Sequence, residues 1–377
     1  MQEKPFIAHQ IILKIASRCN LFCNYCHWFR DKEVFKEPKI FSEEIEDLFV
    51  MRLRRYLEKY EIKELSLVFH GGEPLLFPMK RYDAFIKKVD KVEAEMDVKL
   101  HLSMTTNATL MTDEWARFLL ERRISPGISL DGTEAMHNAN RVDRFGRGSH
   151  AKVVEGIQRL REYGFEPGVL TVANLDHDPA ELCDYFVNEL QITDFDVLIP
   201  NFTRDDAQKN LVRSIADYYI KLFDLWYDIY SDRGVKIRYL ESLSKVVLGV
   251  PGSMQGMGGA TLATLEVLPS GSIEPHDVLR IGGNQNVNTN LNVRTHDFDE
   301  VFQNQVWMSA FQAAKNPCAS CLDCNYLAAC GGGDVMHRYS QSNGYDNPSV
   351  YCQDLQRIYQ HAFDRIVADL RLEVANQ

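Results

Sequence analysis

Residues 10–26 read Gln10-Ile-Ile-Leu-Lys-Ile-Ala-Ser17-Arg-Cys19-Asn-Leu-Phe-Cys23-Asn-Tyr-Cys26. A short apolar run, Gln10–Ile15, has the length and composition of a buried strand and leads straight into three cysteines. Three thiolates on so short a loop suit three irons of a [4Fe–4S] cubane and leave the fourth iron open to a small chelating molecule. Structural zinc sites instead close with four ligands, usually in two pairs. Only His27 stands adjacent as a further ligand, so zinc is the poorer fit.

Working outward, the strand-then-loop pattern repeats. Strands are expected at Gln10–Ile15, Leu65–His70, Leu100–Thr106, Gly127–Asp131, Pro167–Val172 and Asp194–Ile199, with amphipathic helices between them at Ser42–Lys59, Tyr82–Glu95, Asp113–Glu121, Ala151–Tyr163 and Pro179–Leu190. Ser42, Thr112 and Asp178 each precede acidic first-turn residues, as N-caps do. Six βα units in succession predict a parallel sheet covered by helices; periodicity does not choose between an open sheet and a partial barrel. In either, functional residues belong at the C-terminal ends of the strands. Cys19, Gly71-Gly72-Glu73, Thr106-Asn107 and Asp131-Gly132 follow the first four strands in turn. A helix over Arg213–Ser231, a glycine-rich linker over Val250–Gly259, short strands around Leu262–Leu268 and Ile273–Glu274, and a last helix over Cys352–Leu372 complete the chain.

The nine cysteines fall as three at 19–26, one at 183 and five within 318–352. Tight clusters and an odd total point to metal or iron–sulfur ligands rather than a disulfide framework. Cys183, inside a helical pattern, is expected to be a buried structural thiol. A formal charge of −11 argues against a nucleic-acid binder, and no apolar run is long enough for a membrane-spanning helix. The N-terminus lacks the apolar core of a signal peptide, so a cytoplasmic location is expected.

The cysteine spacing after a first strand resembles the radical S-adenosylmethionine (SAM) superfamily. His70-Gly71-Gly72-Glu73-Pro74 is similar to that family's SAM-amino-group motif, in which glycines permit close backbone approach and a carboxylate faces an ammonium. Tyr25 resembles the aromatic beside the adenine, Thr106-Asn107 a third-strand motif near SAM, and Ser129 and Arg141 the contacts to ribose and methionine carboxylate. The resemblance implies a partial (β/α)6 TIM-type barrel whose [4Fe–4S] cluster, on Cys19, Cys23 and Cys26, cleaves SAM to a 5′-deoxyadenosyl radical that takes a hydrogen atom from the substrate.

Cys321-Leu-Asp-Cys324-(x5)-Cys330-Gly-Gly-Gly-Asp334-(x17)-Cys352 resembles a SPASM domain, which implies a small C-terminal iron–sulfur domain over 249–377, following the barrel over 1–248. By that resemblance Cys321, Cys324, Cys330 and Cys352 hold one auxiliary [4Fe–4S] cluster. His276 and Asp334 stand where the family's other auxiliary cluster takes cysteines, so two clusters in total are expected. Cys318 is left over. SPASM enzymes act on peptides, which implies a precursor-peptide substrate and a reductant such as flavodoxin or ferredoxin. The residues ahead of the first strand are too few for a separate leader-binding module.

Within the resemblance, Cys26-His-Trp-Phe-Arg-Asp31 and Val197–Asp206 look most like maturases that join an aromatic ring to a neighbouring side-chain carbon, giving a cyclophane. The stretch Ser129–Asp143 is also similar to anaerobic sulfatase maturases, which oxidise a side chain to formylglycine; thioether formation and epimerisation are further alternatives. Asp277, and after it Asp205, are the candidate bases, with a surface-turn carboxylate as the plain reading of Asp277. A non-catalytic iron–sulfur electron carrier is the alternative of a different class.

Overall fold

Ten strands run along the chain: β1 (Gln10–Ala16), β2 (Glu64–Gly71), β3 (Lys99–Thr106), β4 (Ser125–Ser129), β5 (Gly168–Val172), β6 (Asp194–Leu198), β7 (Lys236–Ile237), β8 (Thr264–Val267), β9 (Ser272–Glu274) and β10 (Leu291–Asn292). The computed structural model describes residues 7–252, 254–260 and 264–375. Ser253 of the expected linker and Leu262 and Ala263 of the expected strand lie outside the described residues. All six expected βα units form, and the fold is the α/β parallel-sheet architecture that the sequence predicts.

Two compact units emerge. The first comprises Met1–Leu130, His137–Gly168 and Ala263–Met308, the second Asp131–Met136, Val169–Leu262 and Ser309–Gln377. This division cuts the chain differently from one at residue 248. The reason is strand pairing: β8, which follows the linker, runs parallel to β1 with Ile12 opposite Glu266 and Leu13 opposite Val267.

In the first unit β1 lies between β8 and β2, and β2, β3 and β4 continue in parallel order. β8, β9 and β10 pair antiparallel on the other side. Every residue of β1 after Gln10 is buried, as expected for a parallel strand covered on both faces. In the second unit β5, β6 and β7 are parallel neighbours.

Local sequence accounts for the helix starts. Ser42 Oγ accepts from Ile45 N, Thr112 Oγ1 from Trp115 N, and Asp178 Oδ1 from Ala180 N. The helix expected over Arg213–Ser231 begins at Ala216 and, like that over Pro179–Leu190, ends in a π-helical turn. Among the described residues, no helix is long and apolar enough to cross a membrane.

Candidate active site

The loop that carries Cys19, Cys23 and Cys26 is fixed by the ends of β1, β2 and β3, all within the first unit. Gly72 N donates to Ala16 O at 2.8 Å and Glu73 N to Arg18 O at 2.9 Å, so β2 closes directly onto the loop's entry. That approach requires glycine. A Cβ on Gly71, whose φ is +135°, would meet Ala16 O at 2.0 Å, and one on Gly72 would meet Arg18 O at 2.4 Å.

Glu73 is buried, and its carboxylate accepts from Thr106 Oγ1 at 2.6 Å, Asn107 N at 2.9 Å and Leu75 N at 2.9 Å. Burial pushes its pKa up to about 6, with those three hydrogen bonds opposing. Its two oxygens therefore pin β2 to β3. Asn107 continues the seam: its Nδ2 donates to Asn20 Oδ1 at 3.0 Å and to Cys19 Sγ at 3.7 Å, and its Oδ1 accepts from Thr109 N and Oγ1. Leu21 N donates to Cys19 Sγ at 3.3 Å. Tyr25 lies under the Arg141 guanidinium at 5.3 Å, and half-buried Ser129 ends β4.

None of the three cysteines is in a disulfide, and backbone N–H groups of Leu21, Trp28 and Phe29 point at the sulfurs of Cys19 and Cys26. Burial pushes both thiols' pKa values up. A soft three-sulfur donor set with N–H groups around it suits a [4Fe–4S] cluster, which supplies the positive charge that turns such thiols into thiolates.

Beside this loop sits a buried charged cluster. Lys14 is fully buried; its Nζ donates to Asp277 Oδ2 and to His70 Nδ1 (3.1 Å), and lies 3.5 Å from Glu266 Oε2. Asp277 Oδ2 also faces His27 Nε2 at 3.0 Å, its Oδ1 faces His276 Nδ1 at 3.4 Å, and its N donates to Glu266 Oε1 at 2.8 Å. β1 and β2 put Lys14 directly opposite His70. Burial works against the Lys14 ammonium, but the charge and hydrogen bond of Asp277 hold its pKa above the usual lysine range. Burial, with Lys14 adding to it, lowers His70 to about 3, so His70 is neutral. Burial opposes ionisation of Asp277, yet His27 and Lys14 carry it well below the usual carboxylate range. Glu266 moves well above that range through burial and the charge of Asp277. Lys14 and Asp277 are thus held as opposite charges in a water-excluded pocket, while Glu266 beside them is held back from ionising.

Asp277 is thus no surface-turn carboxylate. Glu266, His276 and Asp277 present ligand atoms within 4.8 Å of one another, but the Lys14 ammonium already lies on two of them and supplies the cation that they need. Trp28 closes the pocket, its Nε1 donating to Ser17 O at 3.2 Å and its ring 5.2 Å from Lys14 Nζ. Lys14 and Glu266 escaped the sequence reading, and His70 entered it only as the start of the motif His70–Pro74. A lysine inside an otherwise apolar strand was the available signal.

In the second unit, Cys321, Cys324, Cys330 and Cys352 line one small cavity together with Tyr326, Ser349 and Tyr359. Gln356 Nε2 donates to Cys324 Sγ at 3.7 Å and Cys352 Sγ at 3.9 Å. Four free thiols around one space fit a closed four-sulfur cluster site. Cys318 is outside that lining, 3.6 Å from Cys321 Sγ. Asp334 is spent on its own neighbourhood, accepting from Gln255 Nε2 at 2.9 Å and Met336 N at 2.8 Å. Asp205 accepts from Gln341 N at 2.9 Å, and Asp206 forms a capping box with Thr203; both carboxylates hold backbone in place. Cys183 is fully buried.

Residues 13–184 match the model of the Radical SAM superfamily. The chain is 26% identical over 371 residues to a cysteine-type anaerobic sulfatase-maturating enzyme of Clostridium perfringens, covering 95% of this chain and 96% of that one. It is 30% identical over 166 residues to a serine-type anaerobic sulfatase-maturating enzyme of Bacteroides thetaiotaomicron, over 44% of this chain and 39% of the relative. A solved structure described as native anSMEcpe with bound AdoMet and Kp18Cys peptide superposes with a TM-score of 0.83 at 25% identity, covering 95% and 98% of the two chains.

Proposed function

We propose that the chain is a radical SAM enzyme, with its radical SAM domain over residues 13–184, and that it carries out a net two-electron oxidation of a side chain in a peptide. The observation that carries this reading is the pairing, within one unit, of the three-cysteine loop with the Lys14–Asp277–His27 cluster. A [4Fe–4S] cluster with SAM supplies a carbon radical able to take a hydrogen atom from an unactivated carbon. Cys19, Cys23 and Cys26 are the ligands in this reading, and Tyr25, Gly71, Gly72, Ser129 and Arg141 line the SAM cradle. Glu73 and Asn107 act mainly by holding the loop, since their polar atoms are already engaged.

After hydrogen abstraction, such an oxidation must lose a proton and a second electron. Asp277 is buried and stabilised as an anion, which makes it a positioning residue: it holds His27 and His276, both part exposed, at the edge of the pocket. Cys321, Cys324, Cys330 and Cys352 would hold one auxiliary [4Fe–4S] cluster, which would supply an acceptor for the second electron. The hydrogen bonds that occupy Asp334 support one auxiliary cluster rather than two.

Likeness over nearly the full length to cysteine-type sulfatase maturases supports oxidation of a peptide Cys or Ser to an aldehyde. His276 and Asp334, which stand where the SPASM resemblance expects cysteines, support the second reading, a carbon–carbon crosslink to an aromatic residue. Anaerobic incubation with SAM, dithionite and candidate peptides tests both. The expected result is 5′-deoxyadenosine together with a product that either reacts with a hydrazine probe or has lost two hydrogens with a new crosslink in its fragment spectrum. No 5′-deoxyadenosine above background refutes the reading.

A further inference from the structure

Phe145 and Phe22 are the most exposed large apolar side chains described in the first unit, at 65% and 58%. The segments that carry them are tied by backbone. Leu21 bridges to Asp143, Phe22 N donates to Val142 O at 2.7 Å, and Asn24 N donates to Asn140 O at 3.2 Å. Val142 bridges in turn to Gly148, so a tight hairpin over 142–148 is strapped to the segment between Cys19 and Cys23. Asp143 stiffens its tip, accepting from Phe145 N at 2.8 Å and Arg147 N at 3.0 Å. The Arg144 and Arg147 guanidinium groups lie over the Phe145 ring at 4.6 Å and 5.0 Å. Residues 141–152 hold four basic side chains against one acid, in a chain of net charge −11.

We propose that Phe22, Arg144, Phe145 and Arg147 form the docking surface for an acidic protein that carries single electrons. The proposal rests on the reading of Cys19, Cys23 and Cys26 as cluster ligands. On contact the carrier is oxidised by one electron and the cluster is reduced by one, with no proton moved and no bond made. An acidic protein is repelled by most of this chain, and a basic patch on the cysteine loop therefore orients it as well as attracting it. The exposed Phe145 ring, held between the Arg144 and Arg147 guanidinium groups, gives the contact an apolar centre at little ordering cost. A small interface suffices, since electron-transfer encounters are the weakest and smallest class.

The test uses reconstituted holoenzyme and an acidic flavodoxin. Binding is measured by calorimetry, and 5′-deoxyadenosine formation is driven in parallel by reduced flavodoxin or by dithionite, which needs no docking. R144E/R147E is expected to weaken flavodoxin binding about tenfold or more and to slow the flavodoxin-driven rate to match, with the dithionite-driven rate unchanged. R144K/R147K keeps the charge and is expected to keep the binding. Unchanged flavodoxin binding in R144E/R147E overturns the proposal, as does an equal fall in both rates, which makes the hairpin a support for the loop. A loss of peptide binding alone also overturns it, in favour of a peptide-facing hairpin. Wild-type protein that binds flavodoxin through these residues yet makes no 5′-deoxyadenosine with dithionite supports the docking surface and refutes the radical chemistry instead.

Discussion

Substituting Glu266 is expected to do almost nothing alone and a great deal in one particular background. In the wild-type protein Lys14 is held by Asp277, and Glu266, pushed up by burial and by the Asp277 charge, is the neutral member of the trio. E266Q swaps one neutral group for another and is expected to change stability by less than about 1 kcal/mol, the range of well-tolerated substitutions. D277N removes the anion, and Glu266, 3.5 Å from Lys14 Nζ, then ionises in its place. The net cost is roughly that of one hydrogen bond between charged partners, about 1.5–3 kcal/mol. In D277N/E266Q no carboxylate faces the buried ammonium, and the cost rises to about 3–5 kcal/mol. The coupling between the two sites is thus about 1–2 kcal/mol, beyond the usual error of additivity.

Urea unfolding of the holoenzyme across this cycle measures it. The pH dependence supplies a second readout. The unfolded chain releases the Glu266 proton near about pH 4.3, whereas the folded chain keeps it to a higher pH. Stability from this group therefore falls as pH rises above that value, and E266Q is expected to remove that slope. Asp277 behaves oppositely: with its folded pKa depressed, its contribution is present above about pH 3.9 and is lost only in stronger acid. Strict additivity of the two substitutions, or an E266Q cost as large as that of D277N, would refute the assignment of the charges.

Gly71→Ala is expected to abolish both iron retention in the first site and SAM cleavage, because its Cβ would fall 2.0 Å from Ala16 O; iron analysis and 5′-deoxyadenosine assay check this. Replacing Cys321, Cys324 and Cys330 together by Ala is expected to halve the iron from about eight to about four per chain while SAM cleavage with dithionite persists. A wild-type content near about twelve irons would refute a single auxiliary cluster. Asn107→Ala removes the bonds from β3 to Asn20 and Cys19 and leaves the Glu73 contact with the backbone N–H intact. It is expected to lower SAM cleavage by tenfold or so while the iron is retained, and a wild-type rate would refute the seam.

The strands, their order of appearance and the three capped helix starts were legible because each depends on a few adjacent residues: a buried apolar run, or a Ser, Thr or Asp ahead of acidic residues. The cysteine spacing was legible for the same reason. The boundary between units was not, because β8 joins β1 across some 250 residues of chain, and no local pattern records that pairing. Glu73 and Asn107 were found as motif residues, but their partners emerge only when β1, β2 and β3 stand side by side.

By itself the sequence determined a chain of βα units with a soft three-thiol loop after the first strand and a separate four-cysteine set near the end. Those features are local and covalent, so spacing alone carries them. Tertiary structure decided what surrounds the loop. It buried Lys14 against Asp277, turned Glu266 into a neutral neighbour, and tied the Arg144–Arg147 hairpin to the cysteines. Charge state and proximity depend on burial and on residues distant in sequence, and both come into being only when the chain has folded.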